Sequence, residues 1–229
     1  MDSISINITI MKLKACFITI LIFLTQSCSV SISSLLSNAP PGQAIIQSSD
    51  GSFSAIMGLQ EAFGLLQNNE TLYVSSGKVE LTSSLLVSNL NNVKIIGNKT
   101  SIVALLDIPV VQFRNVTKVQ LSNVLVVHEI GEWCSQNCIE FYDASDLIIR
   151  NVKFDGSGYF GLSLVRVTNA IIENNEFYNC TYGLSSWDGA NLKVSNNKFY
   201  NNRKADIMES DPGQFLNDYT KDNTFEGKL

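Results

Sequence analysis

Four stretches of the chain align without a gap over thirteen positions: VQFRNVTKVQLSN (111–123), IEFYDASDLIIRN (139–151), LSLVRVTNAIIEN (162–174) and LSSWDGANLKVSN (184–196). Each ends on an asparagine, Asn123, Asn151, Asn174 or Asn196, and three residues later comes Val126, Phe154, Phe177 or Phe199. A weaker copy stands earlier at VKIIG (93–97), and a ragged one closes the series at DNTF (222–225). From Gly97 through the four asparagines the spacings are 26, 28, 23 and 22 residues. Apolar residues alternate inside each copy, as at Leu147/Ile149 and Leu192/Val194, which is the period of a strand. A unit this short, holding three short strands, cannot bury its own apolar face, so successive units must stack. The expected fold class is therefore all-β, a solenoid of about six rungs.

Composition agrees with that expectation. The 229 residues suit a single domain, and only 16% of them are charged, against roughly 25% in ordinary soluble domains. Asparagine takes the place of charge: there are 23 Asn against 4 Pro. Asn is poor inside helices and good in tight turns, because its short amide tolerates the left-handed region, so a helical bundle is disfavoured. A net charge of −5 excludes nucleic acid as an expected partner, since that needs clustered Lys and Arg. Low charge and low proline argue against disorder.

The first segment reads as an address. Lys12 and Lys14 precede an apolar run over 15–24, then Thr25-Gln26-Ser27-Cys28, the pattern of a secretory signal. The run is too short to span a bilayer, which takes about 20 apolar residues. Export to the cell surface or beyond follows, with Met11 an alternative start. Ser27-Cys28 resembles a bacterial lipoprotein box, although Gln26 and Leu24 depart from it, so lipidation of Cys28 and ordinary cleavage nearby both stand. A lipid anchor on Cys28 is the only membrane contact expected. The remaining division is a linker over 29–50 and a repeat domain over 51–229, with a helix near 55–67.

Of the five cysteines, Cys134 and Cys138 lie four apart in a loop, and an exported protein permits a disulfide between them. Cys180 reads as a small packed side chain. One His and a C-x3-C fall short of a zinc set, and neither a metal site nor a cofactor motif is expected. The Asn-x-Ser/Thr triplets at Asn69, Asn98, Asn115 and Asn179 arise easily in so Asn-rich a chain.

The repeat resembles the right-handed parallel β-helix of the pectin-lyase-like superfamily over roughly 51–229. The resemblance implies a first strand (139–142), a second (147–149), an Asn turn, a third (152–154) and a variable loop. It implies that Asn123, Asn151, Asn174 and Asn196 stack as an amide ladder. It also implies a short N-terminal helix capping the coil, for which Ile56, Leu59, Phe63 and Leu66 share one face, followed by a strand and turn at 72–77 where Ser75-Ser76 replace two prolines. The last turn would be covered by a loop such as 210–219, by further chain or by another subunit.

In that superfamily polysaccharide lies on the outer face of the first strand. The outward pairs here are Gln112/Arg114, Glu140/Tyr142, Ser163/Val165, Ser185/Trp187 and Met208/Ser210. Tyr142 and Trp187 share one row, two rungs or about 10 Å apart, where aromatic rings could meet sugar rings or instead form an apolar stripe under a neighbouring loop. The loop 128–137 holds the only His, with Glu129, Glu132 and Trp133. His128, Glu129, Glu132 and Glu140 are weak acid/base candidates, and Trp133, Tyr142 and Trp187 are candidate carbohydrate contacts. The calcium-binding carboxylates of the lyases and the Asp pairs of the hydrolases are missing, because the first outward row carries Glu140 alone. Asp143 and Asp188 flank Arg166, which reads as surface ion pairing. Three functions compete: polysaccharide contact without catalysis, a lyase or epimerase, and a structural or adhesive surface module.

Overall fold

The computed structural model describes residues 39–130 and 133–227, together with Ile32 and Leu36. The signal-like segment, Cys16, Cys28 and Glu132 lie outside the described residues. The chain begins with β1 (Gln43–Gln47), β2 (Met57–Gly58) and a helix α1 (Leu59–Leu65). There follow β3 (Thr71–Val74), β4 (Gly77–Leu81), β5 (Leu85–Ser88), β6 (Asn91–Ala104), β7 (Val111–His128), β8 (Ile139–Arg150) and β9 (Lys153–Asp155). The series closes with β10 (Phe160–Glu173), β11 (Glu176–Tyr178), β12 (Tyr182–Trp187), β13 (Ala190–Ser195), β14 (Lys198–Tyr200), β15 (Ala205–Glu209) and β16 (Thr224–Glu226).

From β3 onward the pairings are all parallel, and each strand joins the one a turn later, with Gln112 beside Glu140, Ser163, Ser185 and Met208 in succession. The molecule is a parallel β-solenoid of about seven turns, one more than the repeat alone suggested. The last turn runs through residues 205–226 and holds the ragged copy at 222–225. Phe215 pairs with Leu192, and the main chain bonds Leu216 N to Leu192 O at 2.7 Å. The loop 210–219, one of three covers weighed for the end, supplies the middle side of this last turn.

Three faces surround the core. The first carries β5, the opening residues of β7, β8 and β10, then β12 and β15. The second carries β3, the opening of β6, the middle of β7, the ends of β8 and β10, and β13; the third carries β4, the ends of β6 and β7, then β9, β11, β14 and β16. Period-two alternation sends Leu147 and Ile149 inward at 0% and 1% exposure, as expected. On the third face Phe154, Phe177, Phe199 and Phe225 stack ring on ring, at centroid separations of 4.5, 4.7 and 5.2 Å.

The corners explain the asparagine. Of the eighteen described non-glycine residues with positive φ, twelve are Asn and three are Asp. Asn123, Asn151, Asn174 and Asn196 all adopt it, with φ between 53° and 60°, but their side chains are exposed. The buried amide ladder uses the next residue instead: Asn175 Nδ2 donates to Asn197 Oδ1 (3.0 Å), and Asn197 Nδ2 to Asn223 Oδ1 (2.9 Å). A left-handed residue turns its own side chain outward at this bend, and its successor points into the coil.

Two further expectations shift at the N-terminus. Residues 43–47, inside the stretch read as a linker, form β1, antiparallel to β3. Ile56 precedes α1 and is 45% exposed, while Leu59, Ala62, Phe63 and Leu66 cover the core. The helix starts late because Met57 is drawn into pairing with Ala44.

Candidate functional site

On the outer side of the first face, strand register sets two rows: Gln112, Glu140, Ser163, Ser185 and Met208 in one, Arg114, Tyr142, Val165 and Trp187 in the other. Glu140 points outward yet is only 4% exposed. Gln112 Nε2 donates to its Oε1 at 2.6 Å, Asn137 Nδ2 donates to its Oε2 at 2.9 Å, and the Arg114 guanidinium stands 3.6 Å away. An unpaired buried carboxylate is costly, so this acid is tied down from three sides. Arg114 in turn lies 5.1 Å from the Tyr142 ring centre, a cation–π contact. Burial first, and then the Glu140 charge, push the Tyr142 hydroxyl above its ordinary pKa. Tyr142 and Trp187 are both half-buried, with the shorter Val165 between them, and Ser163 and Ser185 (3.3 Å, Oγ to Oγ) lie beside them. Arg166 clamps Asp143 through Nε (2.6 Å) and Nη2 (3.0 Å), the expected surface ion pair.

The loop beside this face is pinned from the previous turn. Asp107 accepts from Ser135 N (2.8 Å) and Ser135 Oγ (2.7 Å), and the Ser135 bonds hold its carboxyl below the usual range. The backbone of Gly158 abuts Cys134 so closely that a Cβ there would fall 1.3 Å from Cys134 O. Trp133, at the start of this anchored stretch, is 85% exposed, and Tyr159, one residue past Gly158, is 44% exposed. Asp107, Asn137 and Tyr159 escaped the sequence reading because their positions depend on which loops meet at the corner, and loops carry no period.

Among the described acid/base candidates, His128 and Glu129 line one concavity, and Glu140 lies apart from them on the first face. His128 is 2% exposed, with Nε2 2.6 Å from Ile108 O and Nδ1 3.8 Å from Cys138 Sγ. It continues the inward alternation of Val124 and Val126, and desolvation lowers its pKa. Glu129 is exposed and paired with Lys78 at 3.3 Å, while Glu140 faces Gln112 and Asn137. The disulfide weighed between Cys134 and Cys138 is absent: both thiols are free and buried. They face different partners, Cys134 towards Asp107 and Gln136 O, Cys138 towards Val126 O and Asp155 O. Burial pushes Cys134 up to about 11.

That concavity lies on the other side of the same corner, and of its lining only His128 and Glu129 were candidates from sequence. It measures about 480 Å³ and is lined by Val127, His128, Glu129, Asp155, Gly156, Asn179 and Arg203.

Fold and surface together define a β-solenoid that presents a polar sheet face bearing spaced aromatics. The sequence matches the model of the right handed beta helix region over residues 19–211, and the chain belongs to that family. No curated protein shows significant similarity to it. Among solved structures it is similar to a protein of Parabacteroides merdae ATCC 43184, provisionally assigned as a glycosyl hydrolase, at 9% identity and a TM-score of 0.46, over 67% of this chain and 82% of that one.

Proposed function

We propose that this is an exported β-helix protein, tethered through Cys28 or released, that holds polysaccharide against its first face. The observation that carries the reading is the row Tyr142–Val165–Trp187. Two half-buried rings stand two rungs apart over the shorter Val165, beside the half-buried Gln112 and the exposed Arg114. Such a surface offers apolar contact to the faces of sugar rings and hydrogen bonds to their hydroxyls, which is the usual division of labour in a ligand site. Trp133, from the anchored loop before β8, and Tyr159, from the loop before β10, flank the face and extend the contact. The hydrogen-bonded Glu140 holds Arg114 and Asn137 in place, so the surface is preorganised before ligand arrives.

Binding to an array of plant, host and envelope glycans tests this. Trp187→Ala and Tyr142→Ala should each weaken binding by roughly tenfold or more, about 1.4 kcal/mol. Absence of any glycan ligand, or full binding by both variants, rejects the reading. Globomycin sensitivity or palmitate incorporation lost on Cys28→Ala tests the anchor separately.

A further inference from the structure

The concavity at Gly156 owes its existence to register. Val127, Asp155 and Tyr178 are side by side on successive turns of the third face, and Gly156 and Asn179 follow at the bend towards the first. Gly156, at φ 73°, contributes no side chain to the floor. Arg203 enters from two turns further on. Its side chain lies back along the corner, with Nη2 3.3 Å from Ser157 O and Nη1 3.5 Å from Asn179 O. Nη2 also donates to Thr181 Oγ1, at 2.5 Å. The guanidinium thus reaches the level of Asp155's own turn.

Asp155 is bonded there only by neutral groups. Asn179 Nδ2 donates to its Oδ1 at 2.8 Å, and the Tyr178 hydroxyl lies against it. Among the described residues neither Asp155 nor Arg203 has an ion-pair partner within 4.0 Å, and they do not pair with each other. Lys153, two residues before Asp155, is taken by Glu176 at 2.8 Å, and Glu129 on the far rim is taken by Lys78. One groove therefore holds a carboxylate and a guanidinium, each satisfied by dipoles and neither by a charge, with a gap between them. Burial raises the pKa of Asp155, as expected for a carboxylate that has lost water without gaining a cation.

We propose that this groove is a binding site for a small zwitterion, a free α-amino acid, whose carboxylate meets Arg203 and whose ammonium meets Asp155. The volume falls within the range of small-molecule sites, roughly 300–1,000 Å³. The two charges are complementary to the two ends of such a ligand, and the free Oδ1 of Asn179 and the Val127 side chain provide a polar and an apolar wall. The site is separate from the first face and does not depend on glycan binding there.

Calorimetric titration of the full chain with the proteinogenic L-amino acids, one at a time, tests the proposal. Acetate, methylamine and methyl glucoside are the controls. At least one amino acid should bind, with acetate and methylamine at least tenfold weaker. Asp155→Asn and Arg203→Met should each weaken that binding tenfold or more while near-ultraviolet circular dichroism and glycan binding stay unchanged. Trp187→Ala should leave it intact. Binding of no amino acid, equal binding by both variants, or capture of methyl glucoside in preference to amino acids overturns the proposal.

Discussion

Asn197 uses every valence of its amide. It donates to Ile172 O and Asn223 Oδ1 and accepts from both the backbone and side-chain nitrogens of Asn175. Removing it leaves several buried groups unpaired, so Asn197→Ala should cost roughly 3 kcal/mol. Asn174 carries the left-handed bend with an exposed side chain, and Asn174→Ala should cost only about 1–2 kcal/mol. Urea unfolding of the two variants checks the order, and a reversed order would return the ladder to the bend residue. Two titrating groups give pH predictions of opposite sign. Asp155 has a raised pKa, so the fold prefers its neutral form, and its destabilising effect appears as pH rises from 3.8 through the folded value. Asp155→Asn should accordingly raise the Tm at pH 7 and leave it unchanged at pH 3. His128 has a lowered pKa, so the unfolded chain binds its proton first, and stability falls as pH drops from 6.5 towards the folded value. As the chain's only histidine it can be followed by NMR, and His128→Gln should flatten that part of the stability curve.

Among the elements, the phenylalanine column of the third face tests how burial grades along the coil. Phe177 is fully buried between Phe154 and Phe199, and Phe177→Ala should cost roughly 3–5 kcal/mol. Phe225 stacks on one side only and is 39% exposed, so the same truncation there should cost about 1 kcal/mol by denaturant unfolding. This column was visible in the sequence as a phenylalanine three residues past Asn151, Asn174 and Asn196, because a repeat carries its own register. The amide ladder was displaced by one position from its expected place, because alternation alone does not say which residue at a bend points inward. The anchored loop was invisible as a structure. Its hold on the coil is an Asp107–Ser135 contact between loops of different length, and a backbone approach that only a glycine at 158 allows. Gly158→Ala should release residues 133–138 to rapid hydrogen exchange while the coil keeps its protection.

For the molecule as a whole, a parallel coil has two ends, and its N-terminal end is closed by antiparallel β1 and by α1, whose Leu59, Ala62 and Phe63 are buried. Deleting residues 1–70 would leave β3 as an open edge above an apolar core, and the shortened chain should self-associate in light-scattering measurements where the full chain does not. The repeat, the strand period and the asparagine excess are local properties, and they were enough to define a three-sided parallel coil and the facing of its rows. The number of turns was not, because the first turn, β3 to β5, keeps the geometry without the motif, and in the last, which keeps only the ragged copy, Gln214 and Phe215 take their places by main-chain bonds to Leu192. The surroundings of the charged groups also had to wait for tertiary structure. Glu140 lies in an outward row yet is buried by Gln112, Asn137 and Arg114, His128 is a core residue, and Arg203 meets the surroundings of Asp155 only because the coil brings residues 48 apart to one corner. Periodicity dictates which way a side chain faces. What it meets there depends on the loops and turns stacked beside it, and those contacts exist only once the coil has closed.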